Sequence, residues 1–456
     1  MPRLHLPNDA ITRRDCIRAG GLGLTAALLP GVASAENSPR RTRAKSVIIL
    51  FNSGGIPHHE TWDPKPDAPL EVRGPFGFIR SRTPGLIVGE LMPRTAQLTD
   101  KIAVIRTMVT GDNAHSTSGY QMMTGVPHIP LNRENSTPGK PNDWPSINAL
   151  VRHLRPAVGG LPSSIVLPRR LANFDGLYPW PGADAGILGR RYDPWLLACD
   201  PSEPNFAAPG CALADDLPQS RIAQRQSLLQ QVNQCTGRTI ASRSEFDRHH
   251  REAWNLIVGD RARRAFDLNQ ESNRQRDRYG RTKFGQTVLL ARRLAEAGVS
   301  MVQVNWISED KTRPNGGGWD THEVHNDSIK GWLMPSMDQT YSALIEDLDQ
   351  RGMLDETLVC WVAEFGHTPR FNARLGRDHW GSVFSIALAG GGIRGGVVHG
   401  ASDRLAAQPR SDAVRPSDYL ATVYHLMGFS PDMHYQDVEG RPQALLRGRV
   451  VNSILA

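Results

Sequence analysis

The chain has 456 residues, of which 39% are hydrophobic and 22% charged, and its formal net charge is +7. This length allows one large α/β domain or two ordinary domains. The charge is mild, and no zinc-finger or basic-helix motif occurs, which argues against nucleic acid as a partner. Beyond the N-terminus no apolar run reaches the roughly 18 residues of a membrane span, so no stable span is predicted.

The N-terminus has the features of an export signal. Arg13 and Arg14 precede a short apolar stretch, and an Ala-Ser-Ala tripeptide ends at residue 35. This pattern predicts a cleavable signal peptide at residues 1–35 that uses the twin-arginine export machinery, rather than an anchor helix, which needs a longer apolar core. Residues 36–45 are polar and are predicted to be a disordered lead-in. The mature protein is therefore expected to be periplasmic or secreted.

Strand and helix patterns alternate through the rest of the chain. Continuous apolar runs predict buried strands, and apolar residues at helical spacing predict helices between them. The predicted strands cover residues 46–51, 102–106, 300–305, 357–363 and 383–388, and the predicted helices residues 93–99, 115–124, 283–297, 327–351 and 416–427. This alternation is typical of an α/β fold with a largely parallel central sheet and helices on both faces.

Three segments interrupt the alternation. Residues 128–145 and 168–215 are rich in Pro, Gly and Asn, and they are predicted to be surface insertions that wall a cleft. Residues 216–275 are rich in Gln and Arg and predict a helical insertion. Residues 46–456 are thus expected to form a single domain.

The cysteines leave one question open. Cys199 and Cys211 flank a Pro-rich loop, and they either pair in an oxidising compartment or remain thiols. Cys360 lies within an apolar run and is expected to be a buried thiol.

Four polar clusters follow predicted strands. They combine His with Asp or Glu at close spacing, which suits the ligands of a divalent metal, with Zn²⁺ favoured by imidazole and Ca²⁺ or Mg²⁺ accepted by carboxylates. Because chemistry in open α/β sheets gathers at the carboxyl ends of the strands, the clusters are expected to converge. For each histidine taken alone, a structural, hydrogen-bonded role is the alternative. The residues are His58 and Glu60, His115 and Ser116, Asp320 and His322, and Glu364, Arg377, Asp378 and His379.

Two residues indicate binding of an anion. His115 begins a predicted helix, where free backbone N–H groups and the helix dipole favour negative charge. Arg377 is placed to form a bidentate pair with an anionic substrate. The alternatives are that neighbouring residues cap the helix, and that Arg377 forms a salt bridge with Asp378.

The same segments resemble domain-of-unknown-function family 1501. Members are usually exported bacterial proteins placed in the alkaline-phosphatase-like superfamily with the sulfatases. The resemblance spans roughly residues 12–445 and implies an alkaline-phosphatase/sulfatase-like α/β fold. It also implies a metal-dependent hydrolase of an anionic sulfate or phosphate ester, with saccharide esters included. The resemblance rests on six motifs: FNSGGIPHHETWDPKPD at 51–67, YGRTKFG at 279–285, ARRLAEAG at 291–298, GWDTH at 318–322, EFGHTP at 364–369 and GRDHW at 376–380.

The sequence departs from the superfamily pattern at three positions. The nucleophile, a hydroxyl or modified cysteine that begins a helix, falls on His115, with Ser116 as its neighbour. Phe365 stands where the late Asp-His-Gly metal motif has its His, and the first-strand Asp appears as Asn52. The resemblance then implies one divalent metal with the ligands Asp320, His322, Glu364 and His379, and with His58, Glu60 and Asp378 nearby.

These departures leave two functions open. In the first, the protein is a metal-dependent ester hydrolase in which His115 acts as a ligand, a phosphoryl acceptor or a general base. In the second, it is a catalytically reduced binding or structural protein of the envelope that keeps the hydrolase fold.

Overall fold

The computed structural model describes residues 44–173, 177–211, 259–307 and 309–456, and isolated positions between 221 and 256. The predicted signal peptide with Arg13 and Arg14, and most of the predicted lead-in and helical insertion, lie outside the described residues. From Ala44 onward the described residues belong to one contact unit. None of the described helices has the length and apolar character that crossing a membrane requires.

Eight strands form the central sheet. They are β1 (Ser46–Asn52), β2 (Ile102–Met108), β3 (Ser164–Leu167), β4 (Trp195–Leu196), β5 (Met301–Trp306), β6 (Thr357–Val362), β7 (Phe384–Ala389) and β8 (Val397–His399). Their order across the sheet is β8-β2-β7-β6-β1-β5-β3-β4. β7 runs antiparallel to both neighbours, whereas the other pairs are parallel. Strands β1, β6 and β7 are buried along their whole length, which explains their continuous apolar sequences.

Helices cover both faces of this sheet. They are α1 (His115–Thr124), α2 (Ile147–Leu154), α3 (Asp260–Phe266), α4 (Asn273–Tyr279), α5 (Lys283–Glu296), α6 (Met334–Gln350) and α7 (Pro416–Leu426). Side chains alternate between two cores along β1. Ile48 and Leu50 pack with helices α3 to α6, whereas Val47 and Ile49 pack with α1, α2 and α7.

Shorter elements connect these layers. Two four-residue helices occur at Leu70–Arg73 and His325–Ser328, and a π-helical turn at Ile329–Leu333 leads into α6. The 3₁₀ turns are Thr95–Lys101, Gly186–Leu188, Arg190–Tyr192, Leu268–Gln270, Pro314–Gly317, Leu354–Glu356 and Asn452–Ile454. The two-stranded ribbons pair Phe78–Arg80 with Ile87–Gly89, Ala172–Asn173 with Tyr178–Pro179, Gly366–His367 with His379–Trp380, Ala401–Ser402 with Pro409–Ser411, and His434–Gln436 with Pro442–Ala444.

The predicted α/β class, with a largely parallel sheet and helices on both faces, is confirmed. Each predicted strand is present within two residues of its expected bounds. The prediction missed the helix α2 and the strands β3, β4 and β8. Strands β4 and β8 span only two and three residues, which leaves no apolar run long enough to recognise. Cys199, Cys211 and Cys360 are free thiols, and burial raises the pKa of Cys360 to about 12.

Candidate metal centre

The predicted clusters meet beyond the carboxyl ends of the parallel strands. Asp320 and His322 follow β5, Glu364 follows β6, and His115 begins α1 after β2. These three strands run in the same direction, so their carboxyl ends open on the same side. His379 arrives there through the ribbon that pairs its strand with the residues following Glu364.

Three imidazoles converge on the carboxylate of Asp320. The Nε2 atom of His115 lies 3.2 Å from Oδ2 of Asp320. The Nε2 atoms of His379 and His322 lie 2.9 Å and 3.0 Å from Oδ1 of the same carboxylate, and 3.0 Å from each other. We call His115, Asp320, His322 and His379 the metal cluster.

Each imidazole of the metal cluster is oriented through its other nitrogen, Nδ1. Every Nδ1 faces a carbonyl or carboxylate oxygen, which can only accept, so Nδ1 carries the proton in the neutral ring. The Nε2 atoms then present lone pairs toward Asp320, which is the orientation of metal-binding histidines. The acceptors are the carbonyl of Asn113 for His379 (2.6 Å), Oδ1 of Asp378 for His322 (2.7 Å) and Oε1 of Glu364 for His115 (2.8 Å).

Lone pairs that face a carboxylate require positive charge between them. Burial opposes protonation of His115, but hydrogen bonds to Asp320 and Glu364 outweigh it and raise the pKa of this imidazole well above its ordinary value. The hydrogen bond to Asp320 also raises the pKa of His322. For Asp320 itself burial is outweighed by the three imidazoles, which hold its pKa well below the usual range. A divalent cation competes with protons for such a position.

The donor set fits a divalent cation. Nitrogen and oxygen ligands about 2.0–2.1 Å from a tetrahedral Zn²⁺ lie about 3.3 Å apart. The distances from Asp320 to the three imidazoles and from His322 to His379, at 2.9 to 3.2 Å, are close to that spacing. Ligand atoms of His115, Asp320 and His379 all lie within 4.8 Å of one another, and His322 is not a member of this group of three. Three imidazoles with one carboxylate suit Zn²⁺ better than Ca²⁺ or Mg²⁺, which prefer oxygen ligands.

Glu364 lies fully buried behind His115. Its Oε1 atom accepts both the Nδ1–H of His115 and the backbone N–H of Gly54, the latter at 2.7 Å. Gly54 has a φ of 110°, and a β-carbon there would lie 2.2 Å from the backbone nitrogen of Asp320, so only glycine fits. Glu364 therefore orients His115 and does not join the converging atoms, in contrast to the ligand role expected from the sequence.

Aromatic rings close the inner side of the metal cluster. The ring of Phe365 stacks on that of His379, with centroids 4.2 Å apart, and lies 5.1 Å from His115. The ring of Trp180 stacks on His115 at 5.9 Å. Phe365, at the position of the missing His ligand, thus supports two of the imidazoles.

The outer side of the metal cluster opens into a cleft of about 490 Å³. Arg169, Arg170 and Lys311 line this cleft together with the cluster, and so do Glu134 and Glu309, the latter paired with Arg169 at 2.9 Å. The cleft therefore carries side-chain charges of both signs beside the metal cluster.

The first turn of α1 already holds a carboxylate of the chain. Oε2 of Glu134 accepts the backbone N–H of His115 at 2.9 Å, and Oδ1 of Asp112 accepts the backbone N–H of Ala114 at 3.0 Å. The start of α1, for which the sequence left both an external anion and capping by the chain open, is therefore capped by Glu134 and Asp112.

Residues 44–455 match the family DUF1501, which is described as protein of unknown function. The chain belongs to this family. The family resemblance of the motifs is thereby confirmed. Comparison with curated proteins found no match.

Several solved structures are similar to this DUF1501 protein. A sulfatase from Pseudoalteromonas sp. is 12% identical with a TM-score of 0.40, covering 98% of this chain and 76% of its own. A phosphonate monoester hydrolase of Agrobacterium radiobacter is 12% identical with a TM-score of 0.38, and the match covers 90% of this chain and 77% of the hydrolase. A protein in the alkaline phosphatase superfamily from Vibrio parahaemolyticus is 12% identical with a TM-score of 0.39, and the match covers 91% of this chain and 71% of that protein.

Two candidate positions of this DUF1501 protein have buried side chains with contacts outside the metal cluster. Ser116 is fully buried, and its hydroxyl donates to the carbonyl of Arg133 and accepts from the backbone N–H of Ser136. The hydroxyl of Ser116, for which a catalytic role is predicted, is thus paired with the backbone of residues 133 and 136. Asn52 is also fully buried and contacts the sulfur of Met337.

Arg377 lies in the interior and not in the cleft. Its side chain is fully buried, and its five N–H groups all have acceptors within the protein. The guanidinium predicted to pair with a substrate anion is thus occupied within the protein, and its salt bridge is with Glu60 and not with Asp378. The acceptors are Oε1 of Glu60 for Nε and Nη2 (3.1 and 2.7 Å), the carbonyls of Thr368 and Pro369 for Nη1 (2.9 and 2.6 Å), and the carbonyl of Val72 for Nη2 (2.7 Å).

Further histidines surround this ion pair. We call His58, His59, Glu60, His325, His367 and Arg377, all buried, the buried cluster. Nε2–H groups here donate to backbone carbonyls: His58 to Ala406 at 3.0 Å, His59 to Leu405 at 2.9 Å and His367 to Gly54 at 2.9 Å. The side chains of His58 and Glu60, which are predicted to lie near the metal, serve these interior contacts.

Some residues that shape the site were not predicted from the sequence to belong to it. Arg169 and Arg170 were assigned only to a surface insertion, although they follow β3 directly. The apolar run that ends at Leu167 was the available signal for a strand whose carboxyl end would carry functional groups. Glu134 and Asn372, which donates to Asp378 at 2.9 Å, gave no such signal because they lie in loops.

Proposed function

We propose that this protein is an exported hydrolase of sulfate or phosphate esters, saccharide esters among them, with one divalent cation held by the metal cluster. The observation that carries the proposal is the convergence of three oriented Nε2 lone pairs on Asp320 at an open cleft. Structural histidines instead satisfy separate acceptors, as those of the buried cluster do.

A divalent cation supplies Lewis acidity, which stabilises negative charge on the ester and makes water a better nucleophile at neutral pH. The protein prepares the three imidazoles for it. Asn113, Asp378 and Glu364 hold their Nδ1 protons and so keep each Nε2 available. Phe365 and Trp180 exclude water from the inner side, which strengthens the electrostatic interactions of the cluster.

Basic side chains of the cleft, together with the charge of a bound cation, support an anionic substrate, although Glu134 and Glu309 share the lining. Arg169 and Arg170 carry planar guanidinium groups, which suit the oxygens of sulfate and phosphate. Lys311 adds a third positive charge to the same lining. These groups attract the charged end of the ester and orient it toward the metal cluster.

Water is the nucleophile in this proposal. His115 occupies the start of α1, but its two ring nitrogens face Glu364 and Asp320, and the hydroxyl of Ser116 is turned away. A covalent intermediate on either residue is therefore not required. Attack by water breaks the bond from sulfur or phosphorus to the ester oxygen, which takes up a proton and leaves as the alcohol, with sulfate or phosphate as the other product.

Export through the twin-arginine route is part of the proposal and rests on the sequence of residues 1–35. The test is a double Arg13→Lys, Arg14→Lys variant followed by cell fractionation. Mature protein is expected in the periplasm or medium for the native sequence and is lost from both for the variant. Equal export of the two proteins would contradict this route.

A second candidate function is favoured by the missing hydroxyl at the start of α1. In this reading the protein is a catalytically reduced envelope protein, and its metal cluster binds a cation and an anionic ligand without turnover. The two functions share the cation and differ in the fate of the ester.

Metal analysis combined with ester assays separates these functions. We expect about one zinc ion per purified mature chain, and turnover of 4-nitrophenyl sulfate or phosphate that Asp320→Asn and His115→Ala abolish. Asp355→Asn serves as the control, because this exposed carboxylate lies before β6, at the opposite edge of the sheet. Bound metal without turnover would favour the binding protein, and the absence of both would refute the hydrolase and the metal centre together.

A further inference from the structure

A second cleft adjoins the cleft of the metal cluster. It has a volume of about 530 Å³. Ile307, Glu309 and Gly316 line both clefts, so the two spaces share a wall. The two clefts are therefore neighbours, which is the arrangement that a ligand spanning both would need.

Tryptophan side chains line the second cleft. Trp306 and Trp332 are both half-buried, and the indole N–H groups of both donate to the carbonyl of Gly317, at 3.4 and 3.3 Å. Phe284 supports Trp306 from beside it, with ring centroids 4.3 Å apart. Since one backbone carbonyl fixes both indoles, their carbon surfaces are rigid elements of the lining.

Charged groups surround these rings. The guanidinium of Arg313 lies 5.2 Å from the ring centroid of Trp332 and pairs with Asp310 at 2.9 Å. Glu309 pairs with Lys283 of the second cleft and with Arg169 of the first, the latter at 2.9 Å. The second cleft thus combines flat apolar surfaces with both donors and acceptors of hydrogen bonds.

This combination discriminates between classes of ligand. A wholly apolar group would desolvate Asp310 and Arg313 without offering hydrogen bonds in return, which is costly. A small ion would leave the indole surfaces unused. A sugar ring presents an apolar C–H face and a rim of hydroxyl groups, which matches both parts of the lining.

We infer that the second cleft is a saccharide subsite, in which a sugar ring stacks on Trp306 and Trp332 and hydrogen-bonds to Asp310, Arg313 and Glu309. The position of the ester group beside the metal cluster rests on the proposed function, whereas the sugar site itself does not. The subsite deepens that function by selecting esters whose alcohol part is a hexose unit.

Gly331 allows this cleft to be filled without disturbing the fold. It lines the second cleft, is exposed, and a β-carbon added to it meets no atom within 4 Å. Gly331→Leu therefore places a branched side chain into the space assigned to the sugar. Lys330→Leu puts the same side chain on the neighbouring exposed position, which does not line the cleft, and is the matched control.

The experiment uses the zinc-loaded mature protein and two kinds of ester. We measure kcat/KM for 6-sulfated and 6-phosphorylated hexoses and for the corresponding 4-nitrophenyl esters. Gly331→Leu and Trp332→Ala are expected to lower the ratio of saccharide to aryl ester turnover more than tenfold, mainly through KM. Lys330→Leu should leave this ratio unchanged. An unchanged ratio in Gly331→Leu, or a greater loss for the aryl esters, would overturn the assignment.

Binding of a neutral trisaccharide of hexose units, followed by tryptophan fluorescence, separates this inference from the proposed function. A saturable fluorescence change that Trp332→Ala and Gly331→Leu remove supports the subsite even if no ester is hydrolysed. Turnover of esters without any fluorescence change or sugar preference would leave the hydrolase standing and remove the saccharide subsite.

Discussion

The metal cluster and the buried cluster contain the same residue types, and their imidazoles are arranged in opposite ways. In the metal cluster Nδ1–H is donated and three Nε2 atoms converge on one carboxylate. In the buried cluster His58, His59 and His367 donate Nε2–H to separate carbonyls, and their Nδ1 atoms have no partner among the described groups. Convergence of lone pairs, and not the number of histidines, thus distinguishes a ligand set from interior packing.

The two clusters also differ in protonation. Hydrogen bonds to carboxylates raise the pKa of His115 and His322. Burial lowers the pKa of His58, and lowers that of His59 well below its ordinary value with the help of His58. One cluster therefore attracts positive charge, whereas the other excludes it from its imidazoles.

Removal of the metal should produce the largest effect and act on one cluster only. Chelation is expected to reduce ester turnover about a thousand-fold or more, which corresponds to about 4 kcal/mol of transition-state stabilisation. The far-ultraviolet circular dichroism spectrum should stay unchanged, because the buried cluster needs no ion. The measurement is turnover before chelation, after it, and after addition of zinc.

Restoration of activity by zinc is the control for this experiment. Activity that survives exhaustive chelation, with metal content verified as zero, would show that the convergence on Asp320 serves hydrogen bonding alone. Unfolding on chelation would instead assign a structural role to the ion.

The gathering of the motifs at one sheet edge was predictable from the sequence. Continuous apolar runs such as that of β1 identified the strands, and parallel topology then required Asp320 and Glu364 to lie near each other. The helix that begins at His115 was predicted with its observed bounds. These inferences need only local patterns and one topological rule.

The separation into two clusters was not predictable in the same way. His58 and His59 receive their acceptors from Ala406 and Leu405, 348 and 346 residues away, and Arg377 meets Glu60 across 317 residues. No local pattern in the sequence encodes such contacts. The adjacent residues Arg377 and Asp378 show the consequence, since one enters the buried cluster and the other orients His322.

Loss of the Glu60 charge should destabilise the fold without affecting the metal. Burial alone would raise the pKa of Glu60, but Arg377 and His325 hold it far below its usual range, so the pair is ionised. Glu60→Gln leaves a buried guanidinium without its counter-ion, which costs about 3 kcal/mol or more. Urea denaturation measures this loss, and metal analysis should still find the native zinc content.

Glu71→Gln is the matched control, because the salt bridge of Glu71 with Arg370 spans 3.4 Å at the surface and contributes about 1 kcal/mol at most. If Glu60→Gln lowered zinc content while leaving the urea midpoint in place, Glu60 would belong functionally to the metal cluster and the division into two clusters would fail.

Asp378→Asn should weaken the metal cluster by a smaller amount. Oδ1 of Asp378 accepts the Nδ1–H of His322 at 2.7 Å and makes this imidazole a better ligand. Loss of the carboxylate charge is expected to reduce zinc affinity about 10- to 100-fold. Competition with a chromogenic chelator measures this affinity, with Asp355→Asn as the control. Unchanged affinity would remove His322 from the ligand set.

His59→Gln should give the smallest effect, confined to acidic pH. Burial keeps His59 neutral in the fold, so only the unfolded chain takes up this proton as pH falls below about 6.5. The native protein thereby loses about 1.4 kcal/mol of stability for this residue between about pH 7.5 and pH 5.5. Glutamine still offers an N–H to Leu405 but does not titrate. Between these two pH values, the free energy of unfolding of the variant, measured by urea denaturation, should therefore fall by about 1.4 kcal/mol less than that of the native protein. Equal losses would show that His59 is protonated in the fold, and that the buried cluster tolerates positive charge on its imidazoles as the metal cluster does.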